Sequence, residues 1–218
     1  MPPVGRETGN MAERTSAWRA EAARRVALMA DELVVRPISA EQAQAVTEWH
    51  YDGKYGIYDT DGSDGLMAAE DGFFAVMTSE GRLIANGCTG DGARVPGLAE
   101  DPEVCDWGLG MDPEWVGHGQ GAGLAHAALS YIREKIRGSR VRGIRGVVLS
   151  WNKRSIAFAE GIGFEKVGVH YCEQGGNRNE YVVLYQSLDK LDEFLSAGRP
   201  AVAVDQRAEV ENPQLEVD

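Results

Sequence analysis

Apolar positions along the chain follow two rhythms. "LVVRPI" is a short apolar run stopped at Pro37, and "FFAVMTSEGRLIANGCTG" reads as two strands around a Ser79-Glu80-Gly81 turn. "VCDWGLGM" alternates, placing Trp107, Leu109 and Met111 on one face and Asp106, Gly108 and Gly110 on the other. Its two glycines weaken the strand and invite a bulge. "IRGVVLSW" is a buried-type strand, and "GFEKVGVHY" and "EYVVLYQSL" follow as two more. Between these runs the period lengthens to that of a helix. Leu124, Ala128, Tyr131, Ile132 and Ile136 share one face, with Gly138 past the end. "NKRSIAFAEGI" is a second helix with Asn152 near its cap, and Ser39 caps a third in "SAEQAQAVTEWHY". "AERTSAWRAEAARRVALMADEL" has helical composition, with Thr15 or Ser16 as N-cap. The order predicts one α/β domain, a mixed sheet of six or seven strands flanked by helices. A leader and helix over 1–32 precede a domain over 33–188, and an acidic, mobile extension over 189–218 follows.

Composition narrows the classes. The 218 residues suit one domain with appendages, and a net charge of −12 argues against a general nucleic-acid binder. No apolar run approaches the ~20 residues of a membrane span, and the arginine-interrupted N-terminus lacks the apolar core of a signal peptide. Either Met1 or Met11 can be the start. Cys88, Cys105 and Cys172 match no metal-ligand spacing, so they read as free thiols in a reducing cytoplasm, and no metal is expected. Charge is unevenly spread. Residues 51–112 hold thirteen acids against three bases, and residues 117–154 hold eight bases against one acid. A site taking one cationic and one anionic partner has this signature, as do two solvated faces.

"WVGHGQGAGLAHAAL", residues 115–129, carries glycines at 117, 119, 121 and 123 and then turns helical. Bare backbone leading into a helix start is an anion cradle. A mononucleotide loop would need a lysine, and none lies between 115 and 129. Gly117, Gly119 and Ala122 formally meet the dinucleotide fingerprint, but the loop follows several strands and the next strand ends without a carboxylate.

The stretch "MDPEWVGHGQGAGLAHAAL" resembles motif A of the GNAT acyl-CoA N-acyltransferases. "WNKRSIAFAEGIGFEKVG" resembles their motif B, with Asn152, Gly163 and Phe164 in the matching places. The resemblance spans Leu33 to Leu188 and implies the GNAT fold, acetyl-CoA as co-substrate and transfer of an acetyl group to a primary amine. It implies that Val116, Gly117, His118, Gly119, Gln120, Gly121 and Ala122 hold the diphosphate of coenzyme A. Leu109, Gly110 and Met111 would then run beside the pantetheine like a neighbouring strand, with the Met111 amide meeting the oxyanion. Asn152, Ser155 and Phe158 would complete the cofactor surface. Asn152 is equally readable as a plain N-cap, and Lys153 and Arg154 as ribose-phosphate ligands or solvated charges.

Two departures stand out. Val116 replaces the arginine or glutamine of the loop pattern, where the side chain matters least. Ala159 replaces a tyrosine that protonates the departing thiolate in many members; Tyr171 and Tyr181 are the candidate substitutes. A thiol with a pKa near ~8.5 leaves tolerably without help, whereas an ammonium near ~10 must first lose a proton. Asp106 and Glu103 lie where the family commonly places the carboxylate that takes it, and Asp106 reads equally as a structural acceptor. The acceptor is expected to be cationic, a small molecule or a peptide, facing an aromatic wall drawn from Trp49, Tyr51, Tyr55 and Tyr58. A homodimer is compatible with the pattern. A catalytically silent acyl-CoA-binding module and the use of another acyl-CoA are the alternatives. Asp59 to Glu70 imitates a calcium loop but has Asp64 where glycine is required. His118 reads as a spacer in the loop, and His126 as a helix residue off the apolar stripe.

Overall fold

The computed structural model describes residues 33–197 apart from 61, 63, 64 and 175. The expected leader and N-terminal helix, the chain after 197 and part of the Asp59–Glu70 loop lie outside the described residues. Strand β1 (Leu33–Pro37) leads into helix α1 (Ala40–Val46). Ser39 and Gln42 start that helix reciprocally: the Ser39 hydroxyl accepts the Gln42 N–H, and the Gln42 side chain accepts the Ser39 N–H. Strands β2 (Phe74–Thr78) and β3 (Leu83–Thr89) form the expected hairpin, closed where Gly81 takes a φ of 87°. Then come β4 (Val104–Met111), α2 (Gly121–Lys135), β5 (Gly143–Leu149), α3 (Lys153–Gly161), β6 (Glu165–Gln174), β7 (Asn177–Ser187) and α4 (Leu188–Ala197).

The seven strands make one mixed sheet in the order β1-β2-β3-β4-β5-β7-β6. Every neighbouring pair is antiparallel except β4 and β5, the two strands joined through α2. The core lies between one sheet face and the long helices. Leu124, Ala128, Leu129 and Ile132 of α2 are fully buried with Val76, Ile84, Ile144 and Leu184 of the sheet. Burying each such aliphatic side chain contributes roughly 1.5–3 kcal/mol. Trp107 stacks on Phe164 at 5.8 Å, tying β4 to the start of β6. On the opposite face α1 covers a smaller cluster of Ile38, Ala43, Ala75 and Met77.

Two expectations are corrected here. Residues 189–197, assigned to a mobile extension, belong to α4, whose Leu191 is fully buried and whose Asp192 pairs with Arg133 of α2 through two hydrogen bonds of 2.8 and 3.0 Å. Leu188, Leu191 and Leu195 recur at helical spacing and pack on the core, which explains the docking. His126 is not an outward residue: it is 3% exposed, beneath α4, with Nε2 3.1 Å from the Leu195 carbonyl. No helix among the described residues is long and apolar enough to cross a membrane.

Candidate active site

β4 and β5 are long enough for a full parallel ladder, yet they pair over three rungs only: Val104 with Gly143, Cys105 with Ile144 and Asp106 with Arg145. Past the third rung the strands part. The rung itself is an ion pair, with Arg145 Nε 2.6 Å and a terminal guanidinium nitrogen 3.0 Å from the two oxygens of Asp106. Arg94 adds a third contact at 3.4 Å, and the carboxylate is 3% exposed. On the other edge of β4 the Asp112 N–H donates to the Ile84 carbonyl at 3.0 Å. Strand alternation then turns the backbone of Gly108 and Gly110 toward β3, and that of Leu109 and Met111 toward the opening. A strand edge with its donors free faces the gap.

At the wide end of the gap the chain makes a short turn, capped where the Asp112 carboxylate accepts the Glu114 N–H at 2.9 Å, and enters the glycine loop. Gly117 and Gly119 adopt φ values of 94° and 79°, a conformation that a side chain disfavours. Gln120 begins α2 without a side-chain cap, and the first helical bond is Leu124 N–H to the Gln120 carbonyl at 3.1 Å. The amides of Gly121, Ala122 and Gly123 therefore precede the helix ladder at its positive end. Phe158 of α3 closes the floor: a Cβ on Gly121 would meet its ring at 3.2 Å. The Arg154 guanidinium lies 3.9 Å from where a Gly117 Cβ would stand, which puts a cation beside the cradle. A groove of about 350 Å³ runs along the loop, lined by Arg82, Glu114, Trp115, His118 and Gln120. The donors, the absent side chains and the flanking guanidinium fit a diphosphate.

The acid-rich segment covers the opposite side of the gap. Gly53–Tyr58 is a 3-10 turn, and its rings form a chain: Tyr51 to Tyr58 at 6.5 Å, Tyr58 to Trp151 at 6.3 Å and Tyr55 to Trp151 at 5.3 Å. The Tyr51 hydroxyl donates to the Met111 carbonyl at 2.7 Å. Burial, and then the charges of Asp59 and Asp112, push the Tyr51 phenol up to about 12, so it stays protonated at neutral pH. Asp59 accepts the Tyr51 N–H at 2.9 Å through one oxygen and lies 3.3 Å from His50 Nδ1 through the other. Asn152 is 5% exposed and spent at both ends: its oxygen accepts the Ser155 N–H at 3.2 Å and its amide donates to the Tyr58 hydroxyl at 3.1 Å.

Solved structures match this architecture. A GNAT-family acetyltransferase from Bacillus anthracis superposes with a TM-score of 0.52 at 17% identity, covering 72% of this chain and 96% of that one. A spermidine/spermine N-acetyltransferase from Vibrio cholerae gives a TM-score of 0.54 at 14% identity, covering 78% of this chain and 99% of that one. The chain has the GNAT acetyltransferase fold. No family model matches the chain, and no curated protein matches it.

Within this GNAT fold the residues singled out from sequence fall into two groups. Leu109, Gly110 and Met111 border the gap, the run from Val116 to Ala122 follows at its mouth, and Asn152, Ser155 and Phe158 stand on the adjoining α3. Glu103 and Asp106 lie at the paired end. At roughly 3.3 Å per residue along a strand, Met111 is about 16 Å from Asp106 and about 26 Å from Glu103. Glu103 faces Arg142 instead, 3.4 Å away. The two candidate substitutes for a tyrosine at 159 part company. Tyr171 is 51% exposed on β6 and donates to Glu180. Tyr181 is buried with Leu149 and Cys172 in the cluster against which Trp151 packs, where burial, then the charges of Cys172 and Tyr58, push its phenol up to about 12. Ala159 packs against the core. Trp151 and Asp59 belong to the site and escaped the sequence pattern. Trp151 ended a strand whose partner across the gap was not legible, and Asp59 sat in what read as a false calcium loop.

Proposed function

We propose that the chain transfers an acetyl group from acetyl-CoA to a primary amine by direct attack. One observation carries this reading: β4 parts from β5 beside an uncapped, glycine-built helix start, so two sets of amides, Leu109 with Met111 on the strand edge and Gly117 to Ala122 in the loop, are available to a thioester cofactor. The amides of Gly117 to Ala122 hold the diphosphate, with Arg154 beside them, while the Val116 N–H is spent on the Pro113 carbonyl at 3.2 Å. Leu109 and Met111 pair with the pantetheine amides, and the Met111 N–H faces the carbonyl oxygen that gains charge as the nitrogen attacks. Phe158 and Ser155 wall the channel, and Asn152 fixes the start of α3.

Asp106 fits a structural role, because both of its oxygens are held by guanidinium groups at the closed end. We assign proton removal from the incoming ammonium to Asp59, through water, and the hydrogen bond to the departing sulfur to the Tyr51 hydroxyl, whose single proton turns from the Met111 carbonyl to the sulfur. The ammonium gives one proton to Asp59 through water, the freed amine attacks, the C–N bond forms, the C–S bond breaks, and the second proton shed by that nitrogen goes to the sulfur, which leaves as the thiol. A cationic acceptor suits the acid-rich segment and its aromatic rings. The name of the Vibrio cholerae neighbour points the same way.

Ala159 favours a second reading, a module that binds acyl-CoA without transfer. Calorimetric titration with acetyl-CoA, followed by a thiol-release assay across an amine panel, separates the two. Binding plus amine-dependent release is expected. Binding without release selects the silent module, and no binding removes both. Competition among acyl-CoA thioesters sets the chain length.

A further inference from the structure

The aromatic wall already holds an ammonium. Lys54 Nζ lies 4.4 Å from the centroid of the Trp151 ring and 5.8 Å from that of Tyr55, and the two rings meet edge to face. The acids Asp52 and Asp59 are close in sequence, yet among the described residues no carboxylate lies within ion-pair distance of this amine; its partners are the rings. Tyr55 and Tyr58 are 37% and 42% exposed, so the seat opens to solvent. From Trp151 the rings continue through Tyr58 to Tyr51, whose hydroxyl is on the Met111 carbonyl at the gap. One surface thus joins the gap to a seat that the Lys54 ammonium occupies. The quadrupole of an indole face attracts any alkylammonium in the same way.

Resting on the amine-acceptor reading above, we propose that the Trp151–Tyr55 face binds the second ammonium of a diamine acceptor, and that Lys54 fills this seat until the acceptor displaces it. Lys54 is exposed and sits on a turn opened by Gly53 at a φ of 58°, so its side chain can swing into water without moving the fold. The seat then orders acceptors by charge: a diamine gains the ring contact, and a monoamine does not.

The test is calorimetric binding of 1,8-diaminooctane, long enough to follow the rings from Trp151 toward Tyr51, and of n-octylamine to the full chain saturated with coenzyme A. Lys54→Met keeps the aliphatic stem and removes the charge. It is expected to raise the diamine-to-monoamine affinity ratio about two- to fivefold, the scale of one exposed cation–π contact. Trp151→Leu is expected to abolish the diamine preference and, in that background, Lys54→Met should add nothing to the ratio. Tyr55→Leu, at an exposed ring, provides the same readout if the Trp151 variant does not fold. The proposal is overturned if Lys54→Met moves both amines equally, if either ring variant keeps the wild-type ratio, or if the diamine does not bind. Failure of the acetyl-transfer reading shows separately, as no thiol release from acetyl-CoA with either amine, and leaves the binding ratio measurable.

Discussion

The two ends of β4 are built on opposite rules. At the first end, three rungs join it to β5, and a carboxylate with 3% exposure is locked between guanidinium groups. At the other end, backbone that alternation turns away from β3 finds no ladder partner on β5, and the chain then sheds its side chains in a glycine loop. Each end depends on the other. An open strand edge inside a sheet tends to zip up or to fray, because unpaired amides invite a partner. A buried ion pair on the last rung fixes where pairing stops, and the stacking of Trp107 on Phe164 holds the strand just beyond it. The costly electrostatics fix geometry at one end, and the inexpensive glycines leave the backbone bare at the other.

Breaking the closed end should have the largest effect. Asp106→Asn leaves Arg145 without its counter-charge in a largely buried setting, and Arg94 with Asp91 alone, a loss of about 3–5 kcal/mol. Urea unfolding measures it, and a loss under about 1 kcal/mol would discard the latch. At a temperature where the variant stays folded, the acid limb of the pH–rate profile is expected to survive. Its disappearance would restore Asp106 as the base.

At the open end the expected loss is in binding. Gly119→Val puts a β-branched side chain on a residue with φ of 79° and into the cradle itself. Affinity for acetyl-CoA should fall about 30-fold, equivalent to about 2 kcal/mol, with the unfolding midpoint changing less than in the Asp106 variant. Equal losses of stability and affinity would mean that the loop acts only as a structural turn.

How much of this contrast was legible in advance follows from what each feature requires. The strand boundaries of β4, the hairpin around Gly81 and the cap at Ser39 depend on neighbouring residues, and local pattern reveals such things. The conformation of the glycine loop was legible for the same reason: Gly117 and Gly119 take the positive φ values that residues without a side chain allow. Asp106 was correctly placed on its strand and face, but its partners come from positions 94 and 145, and a single sequence does not announce such pairings. Trp151 joined the acceptor wall by the same non-local route. Helix α4 is a different case. Leu188, Leu191 and Leu195 carried a helical period, and acidic composition outweighed it.

A smaller effect separates chemistry from shape at the open end. Tyr51→Phe removes only the hydroxyl that donates to the Met111 carbonyl. The turnover number should fall about tenfold with acetyl-CoA affinity unchanged, since an oriented donor near developing charge is worth about 1–2 kcal/mol at a part-buried site. Because the phenol is held near 12, the variant should leave the pH profile unchanged up to about pH 9. An affinity loss as large as the rate loss would reduce Tyr51 to a strut for β4.

The smallest expected effect lies away from β4, under α4, and tests whether that helix is docked independently of the gap. His126 has Nε2 against the Leu195 carbonyl and its ring edge-on to Phe194 at 5.7 Å, while Nδ1 is buried with no hydrogen-bond partner. Burial lowers its pKa below the ordinary 6.5, and the Leu195 bond only partly opposes this. The sign follows from linkage: the unfolded chain takes up the proton first as pH drops through about 6.5, so stability is full above that value and declines below it. A second proton would have to sit on Nδ1, where no acceptor waits. The nearby Arg133–Asp192 pair bridges the same two helices and keeps its charges across this range, so it adds no slope of its own. Between about pH 7 and about pH 5.5 the wild type should lose stability attributable to this residue, read as a falling urea midpoint. His126→Gln keeps a donor for the Leu195 carbonyl and cannot titrate, so its midpoint should fall less over that window. Parallel slopes for the two proteins would mean that α4 is loose enough to admit water to the ring.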